Sequence, residues 1–380
     1  MMMEIFEELR NEYQRIEYET YYQGHYYRIS NMLLVLVCGL LCGLREIDDI
    51  HEWAKSRPTG EFLQNYFQIP KVPSRAQFYN ILRYVDANKF NKAFIRWMNG
   101  ILTADGNRET ISIDGKAIRS TNKLTEKEGG LGIVSAIISE HNLVVGSVEC
   151  GEKQSEVEAF RELINLLDVS GAIVVADALH CKKKSAKAVV EAGADYLFVV
   201  KDNEPTLKSD IEAFMAFEEV PSHTTLELNG GRIEKRTAYS SNDIDWLPGK
   251  EDWANLSSIG AIHRQFEKNG AKSSEWHFYI SSADLTPEEL LHHARMEWRV
   301  ESMHWLLDVH FNEDKTKVWD MNVQKLLNAG RKIALNMARL FKSHNCTERT
   351  ALSDLFKRNL FDTDKLAGFL DFFRSHPLTT

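Results

Sequence analysis

Thr110-Ile-Ser-Ile-Asp114 and Ala172-Ile-Val-Val-Ala-Asp177 are two short apolar runs, each ending on an aspartate. Runs of this length, bounded by polar stretches, read as buried strands. Working outward, the first is followed by a polar loop (119–130), a strand (132–139), a turn at His141-Asn142 and a strand (143–149). Beyond these come a helix (156–168), the second aspartate run as a strand (172–176), a helix (183–192), a strand (195–200) and a helix from about 206. Ser155 and Glu158 form a capping box for the first helix. Three strands with hairpin-like links, then alternating helix and strand, predict an α/β fold with a mixed sheet flanked by helices. The order is that of the ribonuclease-H-like layout. In it the first and fourth strands are neighbours, so Asp114 and Asp177 fall together in the crevice at their carboxyl ends.

A third acid comes from a later helix. Thr286 caps it, Pro287 opens its first turn, Glu289 closes a capping box, and Leu285 with Leu290 can form a hydrophobic staple. The expected helix runs on to about Val309 and carries Glu301, with Trp298 and Trp305 three before and four after it. The two tryptophans could bury the carboxylate's surroundings, and His304, one turn on, could support it. A core helix with a boundary glutamate would explain Glu301 equally well were the two aspartates absent. Together, the three acids suit Mg²⁺, a hard ion that takes oxygen ligands and completes its shell with substrate phosphates. Two such ions about 3.5–4 Å apart can activate a water and stabilise a leaving 3′ oxygen. Asp114 would bridge them, with Asp177 on one and Glu301 on the other. The chemistry implied is phosphodiester cleavage, and Mn²⁺ is expected to substitute.

Basic residues near the acids are read in two ways. Lys116 and Arg119 could meet the scissile phosphate, or Lys116 could balance the carboxylates. Lys182, with Lys183 and Lys184, lies at a helix start, where positive charge opposes the helix dipole; an anionic partner would resolve that. Lys201 ends a strand beside the crevice and is a candidate DNA contact. Residues 222–284 read as a β-rich insertion, with Asn229-Gly-Gly231 as a turn and Trp276-His-Phe-Tyr-Ile280 as a strand. Arg232, Glu234 and Arg236 share one strand face, as an ion-pair ladder or as a DNA contact.

The chain has 380 residues and a net charge of −9, awkward for a partner made of phosphates. The charge is segregated, however: Lys315, Lys317, Lys325, Arg331, Lys332, Arg339 and Lys342 oppose only Asp320 between 315 and 342, which permits a basic face or a solvated helix. Five cysteines without a CxxC pair argue against a disulfide framework or structural zinc and fit a reducing cytoplasm. The acidic N-terminus lacks signal-peptide order. The apolar run from Asn31 to Leu44 is shorter than the roughly 20 residues that cross a bilayer. Neither a nucleotide-binding glycine loop nor a serine-hydrolase elbow is present. The expected organisation is a helical N-terminal domain (1–107), a first part of the catalytic core (108–221), the insertion (222–284), a second core part with the glutamate helix (285–345) and a helical tail (346–380).

Ser112-Ile-Asp-Gly-Lys-Ala-Ile-Arg119, Val175-Ala-Asp-Ala-Leu179, Asp195-Tyr-Leu-Phe-Val-Val-Lys201, Trp298-Arg-Val-Glu-Ser-Met-His-Trp-Leu-Leu-Asp-Val309, Asn312-Glu-Asp314 and Asn328-Ala329 occur in that order. Their order and spacing resemble the ISAs-type insertion-sequence transposases, the H-repeat-associated proteins, within the DDE transposases. The resemblance covers nearly the whole chain. It implies that Asp114, Asp177 and Glu301 are the catalytic triad bound to Mg²⁺, and that the protein nicks its element's terminal inverted repeats and joins the 3′-OH to target DNA. A homodimer in the active complex and a bacterial cytoplasmic, nucleoid-associated setting are further expectations. Similar proteins usually carry His where this chain has Glu297, and the wider group often has Tyr, Arg and Lys where this chain has Ala294, Glu297 and Asp308. A non-cleaving DNA-binding descendant and a standalone nuclease are the alternatives.

Overall fold

The two aspartate runs become strands β1 (Thr110–Ile118) and β4 (Ile173–Ala176). In this computed structural model, which describes residues 11–16, 27–102, 109–121, 130–150, 155–229, 232–268, 271–316 and 318–375, they lie parallel and adjacent, with Ile113 level with Ala176. β2 (Leu131–Ile138) and β3 (Leu143–Cys150) form an antiparallel meander on the other side of β1. β5 (Asp195–Val200) runs parallel to β4. The order β3-β2-β1-β4-β5 is the ribonuclease-H-like arrangement.

One detail differs from expectation. β1 does not stop at Asp114; it continues to Ile118, paired with β2 from Asp114↔Ser135 to Ile118↔Leu131. What ends at Ile113 is the pairing with β4. Asp114 therefore stands where β1 loses a neighbour on one side while β2 still holds its backbone on the other.

The insertion supplies β6 (Ser222–Asn229), β7 (Arg232–Ser241), β8 (Ser258–Lys268) and β9 (Ala271–Ser281), all antiparallel. β9 pairs with β5, from Leu197↔Ser281 to Val200↔Phe278. The insertion thus extends the core sheet to nine strands in the order β3-β2-β1-β4-β5-β9-β8-β7-β6. Gly230 and Gly231 of the expected turn, Lys317, most of the 119–130 loop and the acidic extreme N-terminus lie outside the described residues.

The N-terminal part contributes α1 (Ile29–Leu41), α2 (Ile47–Lys55), α3 (Arg57–Phe67), α4 (Arg75–Tyr84) and α5 (Ala87–Leu102). Every residue of α1 except Asn31 is buried, as a helix apolar all round requires. In the core, α6 (Glu156–Leu166), with both halves of its capping box formed, packs on β2 and β3. α7 (Lys183–Glu191) and α8 (Pro205–Phe217) follow β4 and β5. After the insertion come α9 (Pro287–Met296), α10 (Trp298–Phe311), α11 (Met321–Asn345), α12 (Leu352–Phe361) and α13 (Thr363–Ser375).

The expected basic face at 315–342 is not a face. α11 is an interior helix packed against α1 and α5, and its Arg331 and Lys332 are buried. Arg331 Nη2 donates to Thr316 Oγ1 at 2.8 Å and to the Arg45 carbonyl at 3.3 Å, while Lys332 Nζ donates to Ser135 Oγ at 3.2 Å. Lys325 pairs with Glu149. No helix among the described residues is long and apolar enough to cross a membrane.

Candidate active site

The expected single helix from Pro287 to Val309 is two helices, broken at Glu297. The cause lies across the fold. Ser112, on the face of β1 that also presents Asp114, donates its hydroxyl to the Met296 carbonyl at 2.9 Å. In a continuous helix that carbonyl would accept from Val300; instead the Val300 N–H reaches the Glu297 carbonyl at 3.4 Å. α10 consequently starts at Trp298 and carries Glu301 in its first turn, over β1. Ser112→Ala leaves the buried end of α9 without this donor, and we expect a loss of about 1–3 kcal/mol in urea denaturation.

Asp114, Asp177, Glu297 and Glu301 line one cleft of about 720 Å³, together with Lys201 from the end of β5. Asp177 is set by its own turn, its Oδ1 accepting the Leu179 N–H at 3.0 Å. Burial pushes the Asp114 carboxyl up to about 6; a hydrogen bond from the Gly115 N–H opposes this, and the charges of Asp177, Glu156 and Glu301 add to it. Burial likewise pushes Glu297 up to about 7, with repulsion from Asp177, Asp114 and Glu301 outweighing the attraction of Lys201. Crowded carboxyls that resist ionisation, offering oxygen alone, are a donor set that a hard divalent cation fits.

The spacing constrains how. Among the described residues, the one group of three or more His, Cys, Asp or Glu whose ligand atoms all fall within 4.8 Å of one another is Glu140, His292 and His293. The three candidate acids are spread wider, whereas oxygens on one Mg²⁺ at about 2.1 Å are at most about 4.2 Å apart. As they stand they do not all meet on one ion; Asp114, Asp177 and Glu301 would hold divalent cations as a pair rather than singly.

The opposite wall belongs to the insertion. Arg236 lies 2.7 Å and Arg232 3.2 Å from Glu234, which also bonds Arg264. Arg236 further pairs with Glu227 at 3.0 Å, Arg264 with Glu275 at 3.0 Å, and Arg295 of α9 with Glu227. Arg264 is stacked between Phe266 (4.4 Å) and Trp298 (4.2 Å), tying the insertion to the start of α10. The ion-pair ladder expected on β7 is present and opens onto the cleft through Arg232, Glu234 and Arg236, beside Glu227, Arg264 and Arg295.

The family profile described as Transposase DDE domain matches residues 105–337, and the companion profile DDE_Tnp_1-associated matches residues 16–98. The chain belongs to the DDE transposase family. Among similar DDE-family proteins, the "H repeat-associated putative transposase YhhI" of Escherichia coli K12 is 31% identical over 323 residues, covering 82% of this chain and 85% of that one. Another, the K12 protein YbfL, is 30% identical over the same length and coverage. A cryo-EM structure of a piggyBac transposase synaptic complex with hairpin DNA has 12% identity and a TM-score of 0.46, covering 98% of this chain and 80% of that one.

Several residues expected at the site of this DDE-family chain stand elsewhere. Arg331, an expected DNA contact, is fully buried and committed to Thr316 and Arg45. Lys116 turns to the far end of α10, with Nζ 2.8 Å from Asp308, 3.3 Å from Glu313 and 3.5 Å from Asp314. Burial works against its charge, yet those carboxylates raise its pKa overall. These are acids outside the triad, not the cluster that Lys116 was expected to balance. Trp298 and Trp305 do not bury Glu301: they are 48% and 62% exposed, because their side of α10 faces outward. His304 lies close, Nε2 3.7 Å from Asp114 Oδ2, beyond hydrogen-bonding reach. Its burial, with Lys332 and Lys116 nearby, holds its pKa down to about 3, so it stays neutral.

Lys182 pairs with Glu204 at 2.9 Å. Arg119 and Lys315 are exposed, as is Lys201 in the cleft; Arg232 is half-buried there. Arg264 and Arg295 escaped the sequence reading. The alternation Ile262, Arg264, Phe266 along β8 was the available signal for the first.

Proposed function

We propose that this chain cleaves DNA strands at the ends of a bacterial insertion sequence and transfers the freed 3′-OH into target DNA, acting as a homodimer in the cytoplasm. The observation that supports it is the meeting in one cleft of acids from β1, β4 and the first turn of α10, facing an arginine-bearing wall. Asp114, Asp177 and Glu301 would hold the divalent cations, with Asp114 central by its place between the other two elements. Bound there, Mg²⁺ or Mn²⁺ supplies an activated water and a stabilised leaving oxygen. Lys201, exposed beside the acids, binds and orients the DNA phosphate. The insertion's three arginines are already matched to three glutamates, so they contribute a rigid, charge-balanced wall rather than free cations. Arg119 and Lys315, both exposed, extend the contact along the duplex.

A second reading, a DNA-binding descendant that no longer cleaves, draws on the spread of the three acids and on the extra acid at Glu297. The purified protein, incubated with DNA carrying the element's own inverted repeats, separates the two. We expect nicking and strand-transfer products with Mg²⁺ and none when EDTA replaces it. Binding without products in Mg²⁺ and Mn²⁺ alike would establish the second reading instead.

A further inference from the structure

Glu156, the first residue of α6, has a place in the fold beyond its helix. Its carboxylate lies directly over Gly115, the residue after Asp114: a Cβ on Gly115 would stand 2.2 Å from Glu156 Oε1 and 2.9 Å from Oε2. Only a residue without a side chain permits that approach. Because neighbours on a strand face opposite sides, Glu156 arrives from the sheet face away from α10. Its charge is one of those felt by the Asp114 carboxyl.

Behind Glu156 stands His180. This ring is fully buried and stacked on Phe160 at 4.7 Å, and its Nε2 is 3.5 Å from Glu156 Oε1. Neither of its ring nitrogens makes a hydrogen bond among the described residues. A buried imidazole with both nitrogens unsatisfied is uncommon and calls for a reason. His180 belongs to the turn that follows Asp177, its N–H donating to the Asp177 carbonyl at 3.1 Å. Glu156, itself half-buried, thus lies between the residue after one acid and the turn after the other.

We propose that Glu156 is a fourth carboxylate of the divalent-cation centre, approaching Asp114 from the opposite face of the sheet, and that His180 is the residue that positions it. This rests on the reading of Asp114, Asp177 and Glu301 as the acids that hold the metal. His180, its Nε2 facing Glu156 Oε1 at 3.5 Å, fixes the side from which the carboxylate can turn, leaving the other oxygen for the cation or a water on it.

The test is a Mn²⁺ titration of the full chain, followed by the electron paramagnetic resonance signal of the free ion. Glu156→Gln is expected to weaken Mn²⁺ binding by about tenfold or more. Its metal-free melting should stay close to the parent's, because the Ser155–Glu158 cap remains. His180→Leu should also weaken binding, and His180→Gln, which keeps an N–H donor, should recover part of the loss. Glu212→Gln, an exposed charge on α8, should change nothing. If Asp114→Asn loses Mn²⁺ while Glu156→Gln binds like the parent, the fourth carboxylate is wrong and the three-acid centre stands. If both bind like the parent, the centre itself is misread, and this proposal fails with it. Should His180→Leu fold and bind like the parent, its positioning role is excluded; should it not fold, Glu156→Gln alone decides.

Discussion

Asp114→Asn is expected to reduce Mg²⁺-dependent cleavage of terminal-repeat DNA by at least about 10³-fold, as removal of one member of a cooperating catalytic unit does. The amide keeps the shape of the side chain and one oxygen but would offer a divalent cation no negative charge. Glu301→Gln should behave alike, because its place in the first turn of α10 gives it the same cleft. In both variants DNA binding, measured by gel shift without metal, should survive or tighten, since a charge that repels phosphate has been removed. Cleavage at the parental rate by either variant would refute the assignment of that acid.

The second large effect concerns stability. Glu313 is buried, accepts from Lys116 at 3.3 Å and from Asn328 at 2.7 Å, and its charge also acts on the buried Arg331 and Lys332. Glu313→Ala leaves these cations without their shared counter-charge in a part of the fold that cannot rehydrate them. Breaking a buried pair from one side costs about 3–5 kcal/mol. We therefore expect a loss of that order in urea denaturation, with Glu313→Gln intermediate because it can still accept from Asn328. A change below 1 kcal/mol, roughly the worth of an exposed pair, would show that the network is not what holds α10 to α11.

Asn312-Glu-Asp314 and Asn328 thus owe their place among the quoted motifs to packing: they staple the end of α10 to α11. What could be read from the chain alone was what local chemistry decides. The capping boxes at Ser155 and Thr286 formed because their partners are three residues away. The adjacency of β1 and β4 that brings Asp114 beside Asp177 followed from short apolar runs and the order of elements, although β1 runs on past Asp114. What could not be read depended on distant partners. The break at Glu297 is imposed by Ser112, which bonds the Met296 carbonyl 184 residues further on. Arg331 looked like a surface cation because nothing nearby in the chain announces its burial. The spacing of Trp298, Glu301 and Trp305 correctly gave one side of a helix, but spacing carries no information about which side meets solvent. Glu156 was passed over for a similar reason, since its proximity to Gly115 and His180 exists only once β1, β4 and α6 are assembled.

The interruption at Glu297 also sets a pivot. Glu301 is four residues beyond it, about 6 Å along the axis, whereas Asp308 is eleven residues out, about 16 Å. Any swing of α10 about this joint displaces Asp308 nearly three times as far as Glu301. The far, fast-moving end is the one clamped by Lys116, and the acid rides near the still end of the lever. On the proposed reading of Glu301 as a metal ligand, its carboxylate is thereby placed where a swing of the helix would move it least.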